Sequence, residues 1–121
     1  MKLTEELKKL IAEGMPAMVA TADKTGKPNV SPKGSLRVLD EETLCFGDVA
    51  SPRTTANLKE NPKISILFFN PANRKGCRIW GRAEVLSSGP LFDQVSKDTL
   101  ERRKTVVRNV VRITIEEAAA F

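Results

Sequence analysis

The sequence predicts a mainly β fold, an antiparallel barrel of about six strands with short flanking helices. Three observations predict it. Short apolar or β-branched stretches recur along the chain, polar turns separate them, and only three short segments show helical signals. All of this lies within 121 residues, so residues 1–121 are expected to form a single domain. A barrel leaves few open strand edges, which suits strongly apolar strands.

The N-terminal half of the sequence predicts one helix followed by strands. The helix begins at Thr4, an N-cap residue that two glutamates follow, and it ends at Gly14. Residues 16–23 form the first strand, and a polar turn containing glycine leads into the extended residues 28–40. Residues 43–48 form another short strand, so this half of the chain is mostly antiparallel strands.

The C-terminal half alternates strands with two helices. One helix spans residues 51–61 and stops there because Pro62 cannot continue it. Residues 63–70 and 77–86 predict two strands joined by a polar turn, and residues 105–117 predict a β-branched final strand. A Ser-Gly-Pro sequence opens the helix before that strand. Its apolar residues at helical spacing are Leu91, Phe92, Val95 and Leu100.

Cysteine and histidine usage excludes several kinds of chemistry. The chain has two cysteines, Cys45 and Cys77, and no histidine, so we expect neither a metal site nor a disulfide framework. The two cysteines are predicted to be small core residues in strands. Without histidine, Ser-His-Asp and Cys-His catalysis are also excluded. If the protein is an enzyme, a bound cofactor performs the difficult chemistry.

Hydropathy and charge indicate the location of the protein and the kind of partner. No apolar run approaches the roughly 20 residues of a membrane span, and the amphipathic N-terminus differs from a secretory signal, so we expect a cytoplasmic protein. The net charge of +5 predicts an anionic partner: a phosphorylated small molecule, nucleic acid or a membrane surface. Aromatic residues make up only 5% of the chain, which disfavours base stacking on nucleic acid. Of these partners we favour the small molecule.

The helix that begins at Ser51 has an unusual first turn. The Ser51 side chain is expected to accept a hydrogen bond from an amide of that turn, and Pro52 suits the first helical position. Acidic residues normally favour this turn because its amides carry partial positive charge, yet Arg53, Thr54 and Thr55 stand there. A bound phosphate would neutralise this charge. The alternative is a solvated, slightly unfavourable helix end.

A second cationic cluster precedes this helix. Lys33 and Arg37 lie in an extended segment together with Pro32 and Gly34. Proline cannot donate to a central strand ladder, and glycine opens the backbone to the close approach of a flat ligand. The alternative is a bulge between two strands. Together with Arg53, the two cations predict one cationic neighbourhood.

The strand at residues 77–86 alternates between an apolar face and a charged face. Trp80, the only tryptophan, lies on the charged face with Arg78, Arg82 and Glu84. We expect this face either to meet a second subunit or a ring system, or to be covered by the N-terminal helix.

Two motifs carry a resemblance to a known family. The more specific is T-x-x-N-L-x-x-N-P from Thr54 to Pro62, and the second is G-R-A-E from Gly81 to Glu84. With the surrounding residues 26–69 and 78–85, they resemble the pyridoxamine 5'-phosphate oxidase-like family of FMN-binding split barrels, above all its short members. Motif support extends over roughly residues 14–88, and the rest of the chain agrees in length and order of elements.

The resemblance implies a six-stranded antiparallel Greek-key split barrel that forms a homodimer with FMN at the subunit interface. In the family, the start of the helix after the third strand holds the FMN phosphate, and these positions correspond to Ser51, Arg53 and Thr54. The preceding strand end lies alongside the phosphate, and a segment of the second strand lies against the isoalloxazine edge. These flanking positions are Asp48, Val49 and Ala50, and Pro32, Lys33, Gly34 and Ser35.

Two departures from the family restrict the expected function. Arg53 stands where many members have lysine, which keeps the charge but changes its geometry to a bidentate fork. The oxidases that name the family have C-terminal Arg and His residues for their substrate, whereas this chain has no histidine and ends at Phe121. We therefore expect an FMN-binding flavoprotein for electron or hydride transfer, a reductase or a carrier, and not a pyridoxamine phosphate oxidase. No catalytic residue is identified.

Two alternatives stay open. The first is a small barrel that binds nucleic acid through its charge of +5, although its basic residues are spread over the whole chain. The second is a split barrel that binds another anionic ligand, such as haem or a different flavin, or that serves only as a partner-binding module. The lack of histidine removes the axial imidazole ligand that haem would use.

Overall fold

One antiparallel sheet of seven strands, curled into half a barrel, organises the computed structural model, which describes residues 1–121. In chain order the elements are α1 (Glu5–Glu13), β1 (Ala17–Ala22), β2 (Pro28–Lys33), β3 (Arg37–Val38), β4 (Thr43–Asp48), α2 (Pro52–Glu60), β5 (Lys63–Asn70), β6 (Lys75–Leu86), α3 (Pro90–Arg103) and β7 (Asn109–Ala120). The strand order across the sheet is β2-β1-β5-β6-β7-β4-β3. The long strands β6 and β7 lie near its centre and pair over most of their length.

The predicted mainly β split barrel with short flanking helices is confirmed, but it has seven strands rather than six. The difference lies in residues 28–40, which were expected to be continuous. There β2 pairs with β1, whereas β3 pairs with β4 at the opposite edge of the sheet. The chain crosses from one edge to the other over residues 34–36, so one predicted strand becomes two. As an edge strand, β2 also tolerates Pro32.

Alternation along the strands builds the core. Phe46, Phe68 and Ile79 are fully buried, each with no exposed surface, and α1 packs Leu7 and Ile11 into the same cluster. The predicted ends of α1 are confirmed: the Thr4 hydroxyl accepts the Leu7 amide at 3.2 Å, and Gly14 is the C-cap. This amphipathic helix thus closes over the core.

Both cysteines are core residues, as predicted. Cys45 and Cys77 are free thiols without exposed surface, in β4 and β6. Burial raises the pKa of Cys77 to about 11 and also raises that of Cys45. The two thiols are therefore neutral at physiological pH, and neither has the character of a reactive thiolate.

The buried face of α3 differs from the prediction. Val95 and Thr99 are buried, whereas Leu91 and Phe92 are half-buried and Leu100 is 52% exposed. Leu100 lies one residue, or about 100° around the helix, beyond Thr99. Packing on β4 and β7 therefore selects the stripe through residues 95 and 99, and Leu100 faces solvent.

None of the helices is at once long enough and apolar enough to cross a lipid bilayer. The longest, α3, has 14 residues, and α1 and α2 have nine each.

Gly76 permits close pairing between β5 and β6. A Cβ at this position would lie 2.0 Å from the Phe68 carbonyl oxygen and 3.0 Å from the Phe121 ring. We expect Gly76→Ala to lower the free energy of unfolding by about 3 kcal/mol or more, because rigid backbone has to move. Urea unfolding measures this. Gly34→Ala is the matched control, since its Cβ would meet only the Arg103 guanidinium, at 3.5 Å. Equal losses in the two variants would contradict the prediction.

Candidate functional site

The start of α2 leaves hydrogen-bond donors open. Ser51 is the N-cap residue, but its side chain does not cap the helix, so the predicted serine cap is wrong. The Ser51 hydroxyl instead accepts a hydrogen bond from Lys33 Nζ. The first intrahelical bond runs from the Thr55 amide to the Ser51 carbonyl at 3.2 Å. The amides of Arg53 and Thr54 precede it and have no helical acceptor.

A buried ion pair lies beneath this helix start. The side chains of Lys33 and Asp48 are 9% and 4% exposed, and Lys33 Nζ lies 3.8 Å from Asp48 Oδ1. The same carboxylate oxygen accepts the Ser51 amide at 3.0 Å, and the ammonium lies 5.5 Å from the centre of the Phe46 ring. The two opposite charges compensate each other within the barrel.

Burial lowers the pKa of Lys33, although the nearby Asp48 carboxylate acts in the opposite direction. Between this lowered value and the ordinary 10.5, the folded protein binds fewer protons at Lys33 than the unfolded chain does. We therefore expect the contribution of Lys33 to the free energy of unfolding to rise with pH between its lowered pKa and 10.5. Urea unfolding at a series of pH values measures it. The double variant Lys33→Met/Asp48→Asn is the control, and the same rise in both proteins would contradict the assignment.

Four predicted residues converge on one groove of about 270 Å³ between β2 and the start of α2. Ala50, Ser51, Arg53 and Thr54 line it, with Asn29, Val30, Ser31 and Pro52. Arg53 is exposed and belongs to none of the four ion pairs of the structure, so its charge is free for an anion. Thr54 is 1% exposed, and its hydroxyl lies 3.1 Å from the Ser31 hydroxyl, so this side chain ties α2 to β2.

The other predicted residues lie around this groove. Asp48 and Val49 line a smaller groove of about 120 Å³, which also contacts Ser51. Pro32 is exposed at the end of β2. Gly34 and Ser35 line a third groove of about 230 Å³ beside α3.

The three cations of the predicted cationic neighbourhood have different surroundings. Arg37 pairs with Asp98 at 3.1 Å in the groove beside α3. Lys33 is buried against Ser51, and Arg53 lines the groove at the start of α2. The three cations therefore do not line one common groove, because Lys33 is buried in its pair with Asp48 and Arg37 is held by Asp98 beside α3.

The structure adds three arginines that the sequence did not single out. Arg102 and Arg103 line the groove beside α3, and Arg103 donates to the Gly34 carbonyl at 2.9 Å. Arg108 lines the smaller groove, and its amide donates to the Asp48 carbonyl at 2.9 Å. The only sequence signal was the basic last turn of α3, which helix C-termini favour in general.

The outward face of the sheet carries exposed apolar residues around Trp80, beside the exposed cations Lys63 and Arg78. Trp80 is half-buried and lines a shallow groove of about 350 Å³ to which α1 contributes no residue, so cover by the N-terminal helix is not found. Strand register places Met18 and Val30 on the same face, and they are 40% and 65% exposed. Monomeric proteins rarely expose large contiguous apolar surfaces.

Comparisons with known proteins give a matching family model and several similar proteins. The family model described as pyridoxamine 5'-phosphate oxidase matches residues 3–120. An uncharacterised protein of Methanocaldococcus jannaschii is 32% identical over 119 residues, which cover 93% of this chain and 79% of that protein. The crystal structure of HupZ from Group A Streptococcus is similar with 33% identity and a TM-score of 0.91, over 98% of this chain and 94% of the other. An FMN-binding protein from Syntrophomonas wolfei has the same fold at 21% identity and a TM-score of 0.84, over 96% and 84% of the two chains.

Proposed function

We propose, on the premise that the chain belongs to the pyridoxamine 5'-phosphate oxidase-like family of FMN-binding split barrels, that it is a cytoplasmic homodimeric flavoprotein. It binds one FMN per chain for electron or hydride transfer. The observation that carries this proposal is the start of α2, where open amides, the Ser51 hydroxyl and the unpaired Arg53 guanidinium adjoin one groove.

The residues present fit the FMN phosphate. A dianion suits a helix start that has no acidic residue in its first turn and has amides without helical acceptors. Arg53 adds a guanidinium that binds phosphate oxygens through two parallel hydrogen bonds. The acid that adjoins Ser51, Asp48, is compensated by Lys33. A phosphate in the groove between β2 and the start of α2 would therefore meet donors and positive charge, and no acidic residue lines that groove.

Residues outside the phosphate groove would hold the flavin ring. FMN, when bound, supplies the electron chemistry. Pro32 and Gly34 are exposed, so one edge of the ring would lie against these residues, and Arg103 donates to the Gly34 carbonyl at 2.9 Å. Protein groups would thus hold and orient the ring.

The outward apolar face supports the proposed homodimer. Met18, Val30 and Trp80 lie on this face, and a second copy of the chain that packs there would bury them. Because β2 is the edge strand of this region and also lines the groove at α2, a partner that covers the face would lie beside the proposed phosphate site.

Titration of the purified protein with FMN tests the proposal. We expect quenching of flavin fluorescence with one FMN per chain, and a dimer by light scattering. Riboflavin is the matched control, because it lacks only the phosphate, and it should bind at least about tenfold more weakly. No spectral change with FMN, or equal affinity for the two flavins, would contradict the proposal. A haem absorption band in the purified protein would favour the haem alternative instead.

A further inference from the structure

Lys33 does not present its charge to the groove at α2. Its side chain is 9% exposed, its Nζ donates to the Ser51 hydroxyl, and the groove is lined by other residues. A hydroxyl group has two acceptor lone pairs and one hydrogen. Because an ammonium can only donate, it occupies a lone pair of Ser51 and leaves the hydroxyl hydrogen for another acceptor.

Asp48 binds the backbone amide of Ser51, the second polar group of that residue. Its carboxylate accepts the Ser51 amide at 3.0 Å. The amide and the hydroxyl of Ser51 are thus both bound by the buried pair, and this explains why the side chain does not cap α2. The pair also carries no net charge, because an ammonium and a carboxylate of opposite sign lie 3.8 Å apart.

We propose that the Lys33–Asp48 pair is a positioning device for phosphate binding: it fixes Ser51 so that the hydroxyl donates to the phosphate, while Lys33 itself does not touch the ligand. This inference rests on the proposed function. It assigns the two kinds of cation different tasks. Lys33 orients a neutral donor, and Arg53 supplies the charge that attracts the anion.

A double-mutant cycle separates positioning from direct contact. The first change is Lys33→Met/Asp48→Asn, which removes both charges together and leaves an amide oxygen that still accepts the Ser51 amide. The second is Ser51→Ala, and the third combines the two. Arg53→Ala, alone and with Ser51→Ala, is the matched cationic control. FMN dissociation constants are measured for each protein at low and high salt, after circular dichroism has verified the fold.

We expect the pair replacement and Ser51→Ala each to weaken FMN binding about tenfold. Their combination should be less than about threefold weaker than either, because both remove the same donated hydrogen bond. The losses of FMN affinity from Arg53→Ala and Ser51→Ala should multiply when the two changes are combined. Arg53→Ala should also be the only single change that makes FMN affinity less dependent on salt concentration, because salt screens charges that have no counter-ion. The inference would be overturned if the affinity losses from the pair replacement and Ser51→Ala multiply when combined. It would also be overturned if FMN binding to the pair variant depends less on salt than binding to the unmodified protein.

The same cycle without ligand distinguishes the inference from the proposed function. The pair replacement Lys33→Met/Asp48→Asn and Ser51→Ala should show coupled effects on the free energy of unfolding in the absence of FMN, because the hydrogen bond from Lys33 to Ser51 exists in the free protein. Independent effects there would overturn the positioning role whatever the flavin result. Coupled effects in a protein that does not bind FMN would overturn the proposed function and leave the contact assignment intact.

Discussion

Replacing Arg53 with alanine is expected to weaken FMN binding by about 1.5–3 kcal/mol, or roughly ten- to a hundredfold or more. Arg53 is exposed, belongs to no ion pair and lies beside the open amides of α2. Its replacement should therefore remove a contact with the phosphate while leaving the stability of the fold nearly unchanged. Flavin fluorescence titration measures the loss.

The control for this prediction is Lys59→Ala. Lys59 is an exposed cation in the last turn of the same helix, so the variant changes net charge equally without touching the groove. It should leave affinity nearly unchanged. Thr54 is a poorer test residue, because it is buried and bonded to Ser31, and its loss would mix stability with binding. If Arg53→Ala and Lys59→Ala weaken binding equally, the site assignment is wrong.

Replacing Asp48 with alanine is expected to lower the free energy of unfolding by about 3–5 kcal/mol, because it leaves Lys33 charged in the barrel without its counter-ion. The Ser51 amide also loses its acceptor. Urea or thermal unfolding near neutral pH measures the effect. The variant Lys33→Met/Asp48→Asn should recover most of the loss, since neither member then carries a charge.

Asp98→Ala is the matched control for the Asp48 variant. Asp98 pairs with Arg37 at 3.1 Å, but the side chains of this pair are 31% and 36% exposed. Partly exposed pairs of this kind contribute about 1 kcal/mol or less. If Asp48→Ala is no more destabilising than Asp98→Ala, the prediction that buried Lys33 requires Asp48 as its counter-ion is wrong.

The helix ends and the strand faces could be predicted because their causes are local. Thr4 and Gly14 cap the two ends of α1, and Pro62 follows Asn61, the C-cap of α2, so these ends are decided within a few residues. The alternation in β6 likewise appears in the sequence itself, because successive strand residues face opposite sides. The unusual first turn of α2 could also be read locally, since a helix start has open amides wherever it lies.

Contacts between distant parts of the chain required the structure. The hydrogen bond from Lys33 to Ser51 spans 18 residues, and the contact between Arg37 and Asp98 spans 61. Local patterns assigned Lys33 and Arg37 to one cationic neighbourhood, but each pairs with its own acid farther along the chain, Asp48 and Asp98.

By itself, then, the sequence determined the mainly β class, both ends of α1, the C-terminal end of α2 and the absence of acidic residues from the first turn of α2, because hydrogen bonding and side-chain periodicity over a few residues decide these features. The tertiary structure alone decided that residues 28–40 serve both edges of the sheet and that Leu100 faces solvent. It also decided that Ser51 is held by a buried ion pair. The physical reason is that strand pairing and burial are set by partners far along the chain, whose positions no local pattern specifies.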